Sequence, residues 1–365
     1  MNIRNFAEFI IAVAMVAGLL CTGTAQGEVL STKDFTAKVE GAGGAVDFIF
    51  EEDRPHAECH ASTIVQAADG SLLSAWFGGT EEKNPDVAIW YSHYADGKWG
   101  TVEKAAKVDD TAHWNPVLFR DEDDTVHLFF KIGPEIKYWQ TYWMSTSDAG
   151  KNWSAPTELV ADDKGGRGPV RNKPIILSDG AWLAPASTEL KGWKPFADRS
   201  VDKGKTWTRS EDFGHDRKKM KALGAIQPTF WESAPGKVHA LLRSTNGWVW
   251  RSNSEDHGKT WTEMEQTDLP NNNSGIDGLL LDDGRLLLVY NPVGDNWGER
   301  TPLDLAVSDD NGKTWESIAH LEDDPAEGNE FSYPAIVKTE DGIAITYTWN
   351  RERIRAWQIP MDVLK

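Results

Sequence analysis

Cysteine is almost missing. There are two in 365 residues, Cys21 and Cys59. Cys21 falls in a segment expected to be cleaved, so the mature chain has no pair for an internal disulfide. No Cys/His spacing resembles a structural zinc site, and neither a metal nor another cofactor is expected. Basic charge is short as well: 38 Lys and Arg face 57 Asp and Glu, for a net charge of −19. That balance argues against nucleic acid and anionic membrane surfaces as partners. It also makes any cluster of Arg and Lys informative. Helical periodicity is nearly absent; Asp216–Leu223 is the best short candidate. Beyond the N-terminus no apolar run is long enough to span a bilayer.

Residues 1–27 read as a signal peptide. Arg4 opens a short n-region, Phe9 to Cys21 is an apolar h-region, and small residues follow at Gly23-Thr24-Ala25-Gln26-Gly27. Cleavage after Ala25 or Gly27 is expected, with export to periplasm or medium. Leu20 stands where a lipidation site would want a small residue, so a lipid anchor at Cys21 is the minor alternative. Cleavage removes Arg4 and Glu8, one charge of each sign, and leaves the net charge at −19. The remaining chain, 28–365, is large for one compact core.

What is present in quantity is a repeat. Thr146-Ser-Asp148-Ala-Gly150-Lys-Asn152-Trp153, Ser200-Val-Asp202-Lys-Gly204-Lys-Thr206-Trp207, Ser254-Glu-Asp256-His-Gly258-Lys-Thr260-Trp261 and Ser308-Asp-Asp310-Asn-Gly312-Lys-Thr314-Trp315 share the pattern S/T-x-D-x-G-x-T/N-W. Their aspartates are 54 residues apart, and a shortened copy around Asp96-Gly97-Lys98-Trp99 stands 52 residues earlier. Self-similarity at this period marks a repeat architecture. The pattern fits a tight turn: the Asp accepts backbone N–H bonds, the Gly supplies a positive φ, and the Trp anchors the unit on its neighbour. The aspartates are therefore structural.

Between these turns each unit holds two short apolar runs. They are Ala61–Val65 with Leu72–Phe77, Val117–Phe119 with Val126–Ile132, Ile175–Leu177 with Trp182–Ala186, Thr229–Trp231 with Val238–Leu242, Gly278–Leu281 with Leu286–Tyr290, and Ala335–Lys338 with Ile343–Thr348. Asp-Gly pairs join several of them, a strong hairpin signal. Six hairpins, each followed by an outer pair of strands, predict an all-β, six-bladed propeller in which each blade packs only on its neighbours. The sixth unit lacks its own box. Its outermost strand is expected from the N-terminus, around Phe35–Phe50, closing the ring and removing the open edge.

Blade geometry then says where chemistry belongs. Strands meander outward from a central channel. The start of the innermost strand and the end of the second share one face, and the repeated turns lie on the other. The first set of positions includes Asn115, Lys173, Gln227 and Tyr333, each followed by Pro, with His60 and Asp277 near the matching points. The second set includes Glu81, Lys131, Glu189, Arg243, Asn291 and Arg351. The segment 54–63 is the densest, with His56, Glu58 and His60 at the entry to blade 1. Arg243 and Arg351 are aimed at the mouth, where a guanidinium fork suits a carboxylate. Arg300 lies within reach in the loop 294–301, whereas Arg353 and Arg355 read as structural. Eighteen Trp exceed what the turns need, and sugar-stacking platforms account for the excess.

The repeated turn is identified as the Asp-box, and the chain resembles the BNR-repeat, sialidase-like β-propellers over nearly all of 28–365. That resemblance implies an arginine triad binding a sugar carboxylate, a Tyr nucleophile activated by a Glu, and an acidic proton donor. Arg243 and Arg351 fit triad positions. Tyr333 lies near the nucleophile position, with Phe331 nearer the family register. Arg54-Pro55-His56 stands where sialidases carry Phe-Arg-Ile-Pro, and Asn84-Pro85-Asp86 is a further source of an acid. The leading expectation is an exported, monomeric exo-glycosidase acting on an acidic glycan. Arg243, Arg351 and Arg300 would hold the carboxylate, with Lys131, Asn115, Lys173, Gln227, Asp277 and Asn291 around the sugar. Tyr333 would act with Glu330 or Glu81, and Glu58 or His60 would donate the proton. Two other readings stay open: a lyase or glycosidase acting on uronic-acid glycans, and a non-catalytic glycan-binding propeller.

Overall fold

The computed structural model describes residues 28–189, 191–216, 218–220 and 224–365. The expected signal peptide, with Cys21, lies outside the described residues. Six antiparallel sheets form a ring, a six-bladed β-propeller. Their innermost strands are Glu58–Gln66, His113–Arg120, Ile175–Ile176, Ala225–Ala234, Asp277–Leu280 and Phe331–Lys338, in blades 1 to 6. Blades 2 to 6 have four strands each. Blade 1 has five, because Lys98–Trp99 and Glu103–Ala106 both pair with Ala88–Ala95.

The ring closes through the N-terminus, in a shorter span than expected. Ala45–Phe48 pairs with Arg353–Pro360 as the outer strand of blade 6, with Ala45 opposite Gln358. Residues Thr32–Gly41 before it are an α-helix. Ser31 caps that helix by accepting from the Asp34 amide, and Phe35 and Val39, one turn apart, bury against blades 5 and 6. This Ser-x-x-Asp cap ahead of an i, i+4 apolar pair is a helix-start signal. In the expected short helix 216–223, the amides of Lys219 and Met220 both bond the Asp216 carbonyl, making a turn. Residues 217 and 221–223 lie outside the described residues.

Apolar packing is divided among the blade interfaces. Leu73 and Phe77 of blade 1 pack on Leu128 and Phe130 of blade 2. Val117 and Phe129 of blade 2 meet Trp182 of blade 3. Leu183 meets Phe230 and Trp250 of blade 4, and Trp231 meets Leu286 and Leu288 of blade 5. Leu287 and Leu305 meet Ile345 of blade 6, whose Val337 returns to Ile64 of blade 1. Nearer the channel, hydrogen bonds repeat the circuit. Leu118 N donates to Thr63 Oγ1, Asn115 Nδ2 to the Val170 carbonyl, Asn172 Nδ2 to Gln227 O, and Gly278 N to Thr229 Oγ1. Ile336 N donates to Asp277 and Ala61 N to Thr348 Oγ1, so every neighbouring pair of blades is tied. An isolated four-stranded sheet would leave these groups and apolar faces in water, which is why the ring is the stable unit.

The repeated turns join third to fourth strands on the face away from the channel mouth. In the last one, Asp310 accepts from the amides of Thr314 at 2.8 Å and Lys313 at 3.0 Å and from the Thr314 hydroxyl at 2.7 Å. Gly312 has φ 75°, and a Cβ there would come 3.3 Å from Trp231 of the preceding blade. Burial pushes the Asp310 carboxyl up, but the bonds from Thr314, Ser308 and Lys313 bring it down to about 2. A carboxyl depressed from its unfolded value of about 3.9 stabilises the fold fully above that pH. The contribution fades as pH falls toward 2. Asp310→Asn is therefore expected to show a shallower fall in melting temperature between about pH 4 and 2 than the wild type. An unchanged acid slope, followed by thermal denaturation, would refute this account of the turn.

Candidate active site

Four inner strands begin with the same irregularity. Ala61, Asn115, Gln227 and Tyr333 have φ of 57°, 40°, 55° and 54°. At each point the pairing with the second strand shifts, between His60 and Thr63, Trp114 and Val117, Ile226 and Thr229, and Ser332 and Ala335. Left-handed backbone is unfavourable for side chains other than Gly, Asn and Asp, and for Tyr it is a strained choice. Such strain persists where the surroundings over-determine it, and it clusters at functional sites. Here the bulge turns Asn115, Gln227 and Tyr333 into one cavity at the channel mouth, with His60 from the neighbouring position in blade 1.

The cavity is about 260 Å³, with room for one sugar ring rather than a continuous chain. Phe77, Trp114, Trp139 and Trp193 wall it, and Trp297 stands over it from loop 294–301 with 63% of its surface exposed. Arg243 lies in the wall, 3% exposed. Its guanidinium donates to Asn273 Oδ1 at 3.1 Å, Gln227 Oε1 at 3.1 Å and Tyr333 Oη at 2.6 Å. None of the three partners is a carboxylate. The Arg171 and Arg300 guanidinium carbons lie 5.4 and 5.5 Å from the Tyr333 ring centre. Arg171 is buried beneath it and donates to the Pro334 carbonyl at 2.6 Å, and burial lowers its pKa to about 10.

His60 packs its ring 4.2 Å, centre to centre, from Tyr333. Burial, followed by Arg351, Arg300, Arg171 and Arg243, pushes its pKa well below 6.5, so the imidazole is neutral. Its Nδ1 has no hydrogen-bond partner among the described residues and lies 3.7 Å from Glu330 Oε1. Glu330 sits between cations: Oε1 accepts from Arg300 and Ser332, and Oε2 from Arg351 Nε at 3.0 Å. Burial raises its carboxyl, but Arg300 and Arg351 reverse that and hold it below its usual value. Arg351 also donates to Glu82 at 2.6 Å. It follows Asn350 in a turn where both residues have positive φ, 52° and 55°. A turn of that type, closed here from the Glu352 amide to the Trp349 carbonyl, favours Gly at Arg351's position, so the guanidinium is placed at a conformational cost. Glu189 is the carboxyl that behaves differently: burial raises its pKa, opposed less strongly by Arg243 and Trp193.

The cavity thus gathers His60, Asn115, Gln227, Arg243, Arg300, Tyr333 and Arg351 from the expected residues, with Glu330 bonded behind them. Seven expected residues stand elsewhere. Glu81 is exposed, and its neighbour Glu82 lines the cavity instead. Glu58 pairs opposite Gly79 at the strand end, outside the wall. Lys131 is fully buried, donates to Thr141 Oγ1 and the Arg167 carbonyl, and is lowered to about 7 by burial. Asn291 ties the Pro302 and Phe331 carbonyls. Lys173 and Asp277 form an ion pair of 2.8 Å in the channel. Asp86 accepts from the amide and hydroxyl of Thr80 and shapes the blade 1 loop. No cluster of His, Cys, Asp and Glu suited to a metal ion occurs among the described residues.

A protein-family model described as a BNR repeat-like domain matches residues 70–345. The chain belongs to that family. Among solved structures it resembles the Hadza microbial sialidase Hz136, at 16% identity and TM-score 0.72, covering 87% of this chain and 68% of that one. It also resembles the NanB sialidase of Streptococcus pneumoniae, at 12% and 0.69, covering 88% and 71%. A protein of unknown function from Dyadobacter fermentans matches at 18% and 0.67, covering 87% and 98%. Identities this low establish the shared fold. No curated protein sequence matches.

Within this family fold, Glu82, Arg171, Asn273 and the individual cavity tryptophans went unpicked by sequence reasoning. Arg171 had a usable signal, the run Val170-Arg171-Asn172-Lys173-Pro174 ahead of the blade 3 inner strand. Blade 3 lacks the left-handed residue found in four other blades. The register before its proline is therefore displaced, and Arg171 rather than Lys173 approaches Tyr333.

Proposed function

We propose that the protein is a glycan-cleaving enzyme of sialidase type that removes a terminal sugar bearing a carboxylate. The observation that carries this is Arg243: a buried guanidinium with no carboxylate among its hydrogen-bond partners, lining a pocket of one-sugar size. The one carboxyl acting on it from the pocket wall is Glu189, which burial disfavours as an anion, and a buried cation so weakly compensated favours an incoming anion. A sugar carboxylate fits its planar fork bidentately, and Arg300 stands close by. The aromatic walls offer ring faces to the sugar. Tyr333 Oη, fixed by Arg243, faces the anomeric carbon of a sugar so held. Glu189, kept protonated to higher pH by burial, is placed to protonate the departing glycosidic oxygen. The neutral His60 is unsuited to that step. The N-terminal segment makes export, and action on glycans outside the cytoplasm, part of this reading.

A second reading follows from Tyr333 itself. Among the described residues no carboxylate hydrogen-bonds its hydroxyl, and the amide of Gln227 shares its Arg243 donor. An unassisted phenol is a poor nucleophile, whereas elimination across a uronic acid needs a neutralised carboxylate and a base. Tyr333 or His60 would take the proton next to the carboxylate, the C–O bond would break, and a C=C bond would form.

A panel of sialosides and uronosides, analysed by mass and ultraviolet absorbance, tests both. Release of a saturated terminal acidic sugar supports hydrolysis, and an unsaturated, absorbing product supports elimination. Under hydrolysis, activity declines as pH rises through the raised Glu189 pKa. Glu189→Gln then loses that alkaline limb and spares substrates whose leaving group needs no proton. Binding without turnover, unaffected by Tyr333→Phe, would overturn both in favour of a binding module.

A further inference from the structure

The acidity of the chain reverses in one place. A groove of about 390 Å³ over blade 3 is lined by Lys164, Arg167, Lys191, Lys194 and Arg209, against two carboxylates, Asp163 and Asp212. On a chain of net charge −19, five cations in one groove are a local inversion of sign. The groove and the pocket share walls. Thr188 lines the groove and Glu189 the pocket, and Lys191 and Lys194 flank Trp193 of the pocket. Gly166, on the groove side, lies against the pocket's Trp139: a Cβ there would come 3.2 Å from its indole nitrogen.

The cations are not equally occupied. Arg167 is committed to the buried Asp198, with both bonds at 2.8 Å. The Arg209 guanidinium carbon lies 3.9 Å from the centre of the buried Phe196 ring. Arg209 shares Asp212 with Lys194. Lys164 and Lys191 are exposed and make no ion pair among the described residues. The groove therefore offers two free ammonium groups, and a third cation and a guanidinium that share one carboxylate.

We propose that this groove binds the anionic glycan chain that continues from the terminal sugar, a chain carrying sulfates or further uronates. The assignment rests on the pocket reading above for the direction of the chain. The shared walls supply continuity, and the sign of the groove supplies selection against neutral glycans. Exposed ion pairs are individually weak and screened by salt, so the contribution is to affinity for long anionic substrates rather than to bond cleavage.

The test is calorimetric binding of a heparin-derived hexasaccharide, an oligogalacturonate and a neutral cello-oligosaccharide at low and high salt. The wild type is expected to bind at least one anionic probe and not the neutral one, with affinity falling at high salt. Lys164→Glu/Lys191→Glu, altering two exposed side chains, is expected to weaken that binding about tenfold or more. The same loss from the double variant is expected in an Arg243→Met background, whatever Arg243→Met does to binding by itself, so a failed pocket assignment is distinguishable from a failed groove. Binding unchanged in the double variant, a double-variant effect that vanishes in the Arg243→Met background, or no binding of either anionic probe would each overturn the proposal.

Discussion

Arg243→Met is expected to reduce kcat/KM on an acidic sugar by roughly 10²–10⁴ while leaving the melting temperature unchanged or higher. The loss follows from two charge-assisted bonds to a carboxylate, at about 1.5–3 kcal/mol each, with about 1.4 kcal/mol per tenfold change. The opposite sign on stability follows from what Arg243 touches. Its hydrogen-bond partners are an asparagine, a glutamine and a phenol, and the carboxyl it acts on through space, Glu189, is one that burial already raises, so losing the guanidinium moves that group further toward its uncharged form. The Arg243 charge also opposes that of Arg171, one of the contributions lowering the Arg171 pKa. Arg351 makes the contrast. It compensates Glu330 and Glu82, so Arg351→Met leaves a half-buried carboxylate short of a partner and should destabilise the fold. A stabilised, inactive Arg243→Met beside a destabilised Arg351→Met is the pattern of a site held ready for an external anion. Near-wild-type turnover by Arg243→Met would remove Arg243 from the carboxylate site. A large drop in its melting temperature would show that the guanidinium is there for the fold.

The fold was legible because its determinants are local and periodic. An aspartate every 54 residues marks one turn per blade, and the strand order between turns follows from chain length. The face of the site was legible for the same reason: the meander fixes which strand ends point to the channel mouth. Single side chains were harder. Lys131 and Arg243 hold the same register, opposite Trp114 and Ile226, yet Lys131 turns to Thr141 and the Arg167 carbonyl while Arg243 reaches the pocket. One residue separates Glu81 in solvent from Glu82 on Arg351, and that difference is set by the loop held through Thr80 and Asp86. The bulges before the prolines depend on the pairing of two strands, which no single stretch of sequence displays. The N-terminal helix carries a local signal in Ser31, Asp34, Phe35 and Val39, and only the last part of the expected 35–50 span, Ala45–Phe48, is the closing strand.

Asp277→Ala is expected to cost about 3–5 kcal/mol or more, a large part of the stability of an ordinary domain. Sequence position suggested a sugar ligand; the structure makes Asp277 a junction. One carboxylate, 1% exposed, accepts from Lys173 Nζ at 2.8 Å, Thr229 Oγ1 at 2.9 Å, Gly278 N at 3.0 Å and Ile336 N at 3.0 Å. Those donors belong to blades 3, 4, 5 and 6, so the side chain spans the channel. Removing it strands a partly buried ammonium and deprives buried donors of a partner, and each orphaned donor adds about 1–3 kcal/mol. Lys173→Met should cost less, because the carboxylate keeps its three neutral donors. The ordering Asp277→Ala well below Lys173→Met, and Lys173→Met below wild type, is measurable as urea midpoints. Because Asp277 lies outside the pocket wall, the protein that remains folded should keep its kcat/KM. An Asp277→Ala chain within about 1 kcal/mol of wild type would mean that the ring is held by its apolar wedges alone. A folded Asp277→Ala chain with lost turnover would return the residue to the substrate.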